Sequence, residues 1–170
     1  MLSAEDWAAF KTLRLEALSA HPEAFGSSFE EEFARTEDEW KAEFKRSELF
    51  GFFEKNKLVA CAGFFVYSPL KMCHRGALWG MYIQPDYRRK GIAAALLKTV
   101  IAHAQKRVIQ LHLTVVTRNH AAVKLYEKNG FRIYGTEPRS LKIGDNFYDE
   151  HLIWTLDKSK MPGSLLLSPR

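Results

Sequence analysis

The residues Met81-Tyr82-Ile83-Gln84-Pro85-Asp86-Tyr87-Arg88-Arg89-Lys90-Gly91-Ile92-Ala93 constrain this chain more than any other stretch. An apolar strand runs up to Pro85, a basic loop turns, and a helix begins with small residues. Leu96, Leu97, Val100, Ile101 and Ala104 continue from Ala93 at helical spacing. The loop from Arg88 to Ala93 therefore presents backbone N–H groups at a helix N-terminus. Those amides lack intrahelical partners, and the helix dipole adds partial positive charge there. Gly91 lets a ligand approach the backbone closely, and Ala93 keeps the first turn slim. With Arg88, Arg89 and Lys90 around the same spot, the chemistry is that of a pyrophosphate cradle. It is not a P-loop, which ends in Gly-Lys-Ser/Thr, and its single glycine does not make a dinucleotide fingerprint. A basic turn capping an ordinary helix would share these residues, so the rest of the chain has to decide.

Trp7, Phe10, Leu13 and Ala17 fall on one side of a first helix, capped by Ser3 and ending near Ser19. Ser28-x-x-Glu31 and Thr36-x-x-Glu39 read as capping boxes that open two short helical pieces. Strands are expected at Leu49 to Glu54, Leu58 to Tyr67, Ala77 to Ile83 and Val108 to Val116. A helix runs from His120 to Asn129, with Asn119 as N-cap and Gly130 at C′. Phe131 to Glu137, a loop, Ser140 to Ile143, a turn at Gly144-Asp145-Asn146 and Phe147 to Leu156 close the fold. The expected architecture is α/β: one domain over residues 1–158, with a mixed, mostly antiparallel twisted sheet and helices on both faces. Residues 159–170 read as a tail. Ligands in such sheets favour places where neighbouring strands diverge beyond their carboxyl ends, and the Pro85 to Gly91 loop sits at one.

At 170 residues and 46% hydrophobic content the chain can bury one sizeable core. Its net charge of +5 suits an anionic ligand. The cations are scattered, and no helix-turn-helix, RNA-recognition or zinc-finger signature accompanies them, which argues against nucleic acid. The opening residues carry Glu5 and Asp6 and no apolar signal core. The longest apolar run, Leu58 to Tyr67, is far short of the roughly 20 residues of a membrane span. Cys61 and Cys73 have no ligand-like spacing to histidine, so no metal is expected, and two reduced thiols fit a cytoplasmic protein. Cys73-His74 is a poor nucleophilic pair, because adjacent residues rarely meet in the right geometry.

Arg88-x-x-Gly91-x-Ala93 resembles the acyl-CoA pyrophosphate loop of the GNAT superfamily of N-acetyltransferases. A second stretch, Asn119-His120-Ala121-Ala122-Val123-Lys124-Leu125-Tyr126-Glu127-Lys128-Asn129-Gly130-Phe131, resembles that family's second signature, in the family's order. Tyr134-Gly135-Thr136-Glu137 and Tyr148-Asp149-Glu150-His151-Leu152 look like relatives' C-terminal hairpins. Together these features cover roughly Leu49 to Leu156.

The resemblance implies two central strands that splay apart, with acetyl-CoA in the gap. The backbone of Met81, Tyr82 and Ile83 would pair with the pantetheine arm like an added strand. Amides from Arg89, Lys90, Gly91, Ile92 and Ala93 would hold the pyrophosphate, with Arg88 near it. Asn119 and Ala122 would line the pantetheine's other side, and Tyr126 would protonate the departing thiolate. The implied activity is transfer of the acetyl group to a primary amine by direct attack in a ternary complex, with a small-molecule acceptor favoured. Acetylation of a protein N-terminus or lysine is the alternative, and a non-catalytic acyl-CoA sensor is the alternative of another class. Proton removal from the amine could fall to Glu30, Glu31 or Glu32, or to His74 through water. For Glu31 a capping role is the competing reading; for Glu30 and Glu32 it is a solvated helix face. Relatives usually begin with a short edge strand, which only Met1 and Leu2 could supply here. That leaves one side of the Leu49 to Phe53 strand uncovered by the chain's start, and a homodimer partner or the Leu165-Leu166-Leu167 tail is expected to cover it. No acidic residue lies in the Ala77 to Ile83 strand, where some relatives place a catalytic base.

Overall fold

The computed structural model describes residues 1–156. In chain order the elements are α1 (Trp7–Ala20), α2 (Phe29–Phe33), α3 (Glu37–Arg46), β1 (Glu48–Glu54), β2 (Lys57–Val66), β3 (Arg75–Ile83), α4 (Ile92–Ala104), β4 (Gln110–Val116), α5 (His120–Lys128), β5 (Arg132–Ile143) and β6 (Asn146–Leu156). Both capping boxes form. Ser28 and Thr36 each accept from the amide three residues on, and Glu31 and Glu39 reach back to the cap amides. Ser3 caps a 3-10 turn at Ala4–Asp6 that leads into α1.

The six strands lie in the order β1-β2-β3-β4-β6-β5, and only β3 and β4 run parallel. Helices α4 and α5 pack on one face through Leu97, Val100 and Tyr126, against Ala62, Phe64, Leu113 and Ile153. Helices α1 and α3 cover the other face at the β1–β3 end, where Phe10, Leu13, Ala17 and Trp40 meet Leu49, Leu58, Cys61 and Tyr82. Among the described residues no helix is long and apolar enough to cross a membrane.

The fold departs from sequence expectation in two places. The loop expected after Glu137 is a bulge inside β5, marked by a register shift between Glu137 and Leu141 and by Arg139 at φ +55°. The strand continues because β6 pairs with it on both sides of the bulge. No strand precedes α1, so β1 is an edge, yet the Leu2 amide donates to the Leu49 carbonyl at 2.7 Å and closes one end of it. Phe50 is buried, whereas Phe52 and Phe53 remain partly exposed. The tail proposed as a cover lies outside the described residues.

Candidate active site at the fork between β3 and β4

Strands β3 and β4 pair only at Arg75–Gln110, Gly76–Leu111 and Ala77–His112. Beyond Ala77 they part, and six residues of β3, Leu78 to Ile83, face a gap about 20 Å long at 3.3 Å per residue. A β-bulge shapes this edge. Ala62 of β2 stands against both Gly80 and Met81, because Cys61 pairs with Tyr82 and Gly63 with Trp79. Gly80 has φ +62°, a conformation that favours glycine. A glycine inside a strand pattern is the sequence signal for such a bulge.

Past the bulge the Gln84 amide donates to the Val59 carbonyl at 2.9 Å. Alternation along an antiparallel ladder then turns the backbone of Tyr82 toward β2 and that of Met81 and Ile83 toward the gap. Of the three residues expected to line the cofactor with backbone, two present it and Tyr82 does not. The Ile83 carbonyl is already engaged, since Arg88 Nε donates to it at 3.0 Å. Arg88 also reaches His21 Nε2 at 2.9 Å, and the guanidinium lies 5.7 Å over the Tyr82 ring.

The loop that follows is built to expose amides. Arg89 and Gly91 have φ +59° and +80°, which turns successive N–H groups to one side. Among the described residues the amides from Arg89 to Ala94 make no backbone hydrogen bond; the first from α4 back to its cap is Ala95 to Gly91. A Cβ on Gly91 would meet nothing within 4 Å, so the space in front of these amides is open. The residues present therefore fit a pyrophosphate: a nest at a helix N-terminus, with Arg89 and Lys90 exposed beside it.

On the α5 side Tyr126 is 6% exposed. Its hydroxyl donates to Met81 Sδ at 3.8 Å, and its ring packs edge-on against Phe131. Burial alone pushes the phenol above its ordinary value. Asn119 caps α5, its Oδ1 accepting from the Ala122 amide at 3.1 Å, and Ala122 packs half-buried beside the core. On the α1 side, Tyr82 donates to Glu16 Oε1 at 3.0 Å and Gln84 Nε2 donates to Glu16 Oε2 at 2.5 Å. Burial raises the Tyr82 phenol, and Glu16 raises it further.

Sequence reasoning missed Glu16 and Gln84, since partners 66 and 68 residues apart leave no spacing signal. It also placed the acidic candidates imperfectly. Glu32 is not on a solvated helix face: it is 3% exposed and takes Arg14 in a two-pronged ion pair, Nη2 to Oε1 at 2.9 Å and Nε to Oε2 at 3.1 Å. Glu31 is committed to the Ser28 amide and hydroxyl, which hold its carboxyl below the usual range. His74 precedes β3 at the closed end of the fork, where its carbonyl accepts from the Ile109 and Gln110 amides, so it does not join the site. Cys73 Sγ donates to the Leu70 carbonyl rather than pairing with that imidazole. Glu30 borders a cavity. That cavity, of about 550 Å3, lies between the α1–α2 connection and β5, with Leu18, Phe25, Ser28, Ser140 and Leu141 among its walls. Among the described residues no three His, Cys, Asp or Glu side chains converge as a metal site requires.

The chain belongs to the acetyltransferase (GNAT) family, whose profile matches residues 10–131. Over 55 residues it is 44% identical to the [ribosomal protein bS18]-alanine N-acetyltransferase of Escherichia coli K12, a stretch covering 32% of this chain and 37% of the relative. Over 60 residues it is 35% identical to the L-amino acid N-acetyltransferase AaaT of the same organism, covering 34% and 37%. These matches thus span little more than a third of each curated relative. A GNAT-family acetyltransferase from Streptococcus pneumoniae superposes with a TM-score of 0.81 at 26% identity, covering 91% of this chain and 95% of that one. The putative acetyltransferase yncA of Salmonella typhimurium, solved with its cofactor acetyl-CoA, shares the fold with a TM-score of 0.79 at 17% identity, covering 91% and 90%.

Proposed function

We propose that this chain transfers the acetyl group of acetyl-CoA to a primary amine by direct attack in a ternary complex, with a small molecule as the favoured acceptor. The observation that carries the reading is the continuity of one groove. The open β3 edge at Met81 and Ile83 leads directly into the unpaired amides of Arg89 to Ala93. An acyl-CoA has matching parts in that order: an amide-bearing arm, then a pyrophosphate.

In this reading the pantetheine amides bond to the Met81 and Ile83 backbone, between β3 and the Asn119–Ala122 turn. The thioester lies near Met81, beside the Tyr126 hydroxyl. The amine nitrogen forms a bond to the acetyl carbon, the carbon–sulfur bond breaks, and the electron pair leaves on sulfur. Tyr126 gives its proton to that sulfur as it departs, and the proton that the nitrogen sheds on becoming an amide restores the phenol. Burial raises the phenol, and the same apolar surroundings raise the leaving thiol, so the proton is passed between two groups shifted in one direction. A non-catalytic acyl-CoA sensor would have no use for a buried phenol whose polar partner is only a thioether.

The test is an acceptor screen over polyamines, amino acids, aminoglycosides and peptides, with release of free CoA thiol as the signal. Turnover with small amines supports the reading. Turnover confined to peptide N-termini would favour the protein-acetylating alternative, to which the similarity to the bS18-alanine enzyme points. Tight acetyl-CoA binding with no turnover on any amine would leave the sensor.

A further inference from the structure

One buried carboxylate has no part in the scheme above. Glu150 of β6 is 9% exposed. The strand register sets it opposite Val116 at the open end of β4 and opposite Glu137 on β5. Directly opposed residues share a face, so Glu137, which is exposed, lies on the same side of the hairpin as Glu150. Ser140 Oγ donates to Glu150 Oε2 at 2.6 Å. Ser140 lies within the β5 bulge and lines the 550 Å3 cavity, with Glu30 on another wall. With its proton committed to Glu150, the hydroxyl keeps its lone pairs for an N–H donor.

The remaining walls decide what such a donor is attached to. Leu18, Phe25, Leu141 and Ile143 make much of the lining apolar. Lys142 also borders the cavity, but the register pairs it with Phe147, on the face opposite Leu141, Tyr148 and Glu150. Its ammonium lies 5.9 Å over the Phe147 ring.

We propose that Ser140 and Glu150 seat the ammonium group of the acceptor, which makes the acceptor a cationic primary amine on an apolar body. The inference rests on the reading of the chain as an acetyl-CoA-dependent N-acetyltransferase and names the acceptor class for it. The acceptor docks as its ammonium, donating to Ser140 Oγ beside the Glu150 carboxylate, and releases one proton to solvent in the cavity before the neutral nitrogen attacks the acetyl carbon. An α-carboxylate on the acceptor would add a negative charge to an acidic seat, so amines are preferred over the corresponding amino acids.

The test compares 2-phenylethylamine with L-phenylalanine on the full-length wild type, Glu150→Gln and Ser140→Ala. Wild type should favour the amine at least tenfold in kcat/KM. Glu150→Gln keeps an oxygen for the Ser140 hydroxyl and removes the charge. It should raise KM for 2-phenylethylamine at least tenfold, leave kcat and acetyl-CoA KM within twofold, and abolish the salt dependence of the amine KM. Ser140→Ala, at the less buried partner, should raise the same KM and carries the test if Glu150→Gln fails to fold. An unaltered amine KM in a folded variant overturns the seat, as does a preference for L-phenylalanine. A wild type that releases CoA with no amine overturns the N-acetyltransferase reading and the seat with it.

Discussion

Two tyrosines flank the fork, one on each face of the sheet, and both are almost fully buried. Tyr82 is 4% exposed and Tyr126 6%. Their phenols are nevertheless held differently. Tyr82 donates to a carboxylate that Gln84 also holds, in a cluster joining α1 to the end of β3. Tyr126 has a thioether 3.8 Å away and apolar neighbours otherwise. A phenol bonded to a carboxylate gains more than one bonded to sulfur, and it is correspondingly harder to recruit for chemistry. If Tyr126 is the acid of the proposed reaction, burial does not distinguish a structural tyrosine from a working one; the quality of the partner does. The two can be separated by experiments that remove only the hydroxyl.

The largest effect is expected at Tyr126. Tyr126→Phe removes a weak hydrogen bond to sulfur, so Tm and acetyl-CoA affinity should hardly change. If the phenol protonates the leaving thiolate, kcat should fall by about 10²–10⁴, the usual contribution of a positioned acid, or roughly 3–6 kcal/mol at about 1.4 per decade. A kcat within about twofold of wild type, with chemistry shown to be rate-limiting, would make Tyr126 as structural as Tyr82.

Gly91→Val comes next. It places a branched side chain at φ +80°, where an L residue costs roughly 1–2 kcal/mol. No neighbour clashes with the new Cβ, so the fold should survive while the loop relaxes and the amides turn. Loss of about one charge-assisted hydrogen bond, at roughly 1.5–3 kcal/mol, should weaken acetyl-CoA binding about tenfold to a hundredfold. Calorimetry showing wild-type affinity in the folded variant would remove this loop from the site.

Tyr82→Phe should invert the Tyr126 result, costing stability and sparing kcat. Losing a hydrogen bond to a half-exposed carboxylate that keeps Gln84 should cost about 1–2 kcal/mol of unfolding free energy. The alkaline limb adds a check on sign. Both folded phenols titrate above the ordinary value near 10. Their stabilisation is complete below pH 10 and declines above it, because the unfolded chain releases its phenol protons first. Each Phe variant should therefore flatten the loss of stability measured by denaturant titration above pH 10. An unchanged alkaline slope in both would mean that neither phenol is held neutral by the fold.

How much of this was legible depends on how local each cause is. The nest at Arg89–Ala93 and the Asn119 cap are set by neighbours within a few residues, so their spacing carries them. Tyr126 is singled out by the likeness of Asn119 to Phe131 to the family's second signature rather than by a local cause. The Glu16–Tyr82–Gln84 cluster and the Arg14–Glu32 pair are tertiary, and no periodicity brings α1 to the end of β3 or to α2. Glu32 reads as solvated because it is the third of three consecutive glutamates in a five-residue helix, and only the docking of α2 on α1 buries it. The β5 bulge failed differently. Pro138 and Arg139 read as a loop, but pairing to β6 on both sides overrides that local signal.

The smallest effect, and the finest cut between the two faces, lies at Arg88. Its guanidinium is a strap: it donates to the Ile83 carbonyl and rests over Tyr82 with His21 alongside. Sequence reasoning places the same residue at the pyrophosphate. The two roles differ in what a charge-free variant does. If Arg88 swings onto phosphate, Arg88→Gln forfeits a charge-assisted bond of roughly 1.5–3 kcal/mol, and the loss shrinks with salt. If it stays as a strap, Gln can still donate to the Ile83 carbonyl. Acetyl-CoA affinity then changes by less than about fivefold, under roughly 1 kcal/mol, with no added salt dependence. We expect the strap, because an exposed cation contributes little beside six unpaired amides. Binding of acetyl-CoA to Arg88→Gln and Arg88→Ala at two salt concentrations separates the roles. A tenfold loss in both variants, fading with salt, would move Arg88 into the phosphate site, whereas a small salt-independent loss confined to Arg88→Ala would keep it on the Tyr82 side of the fork.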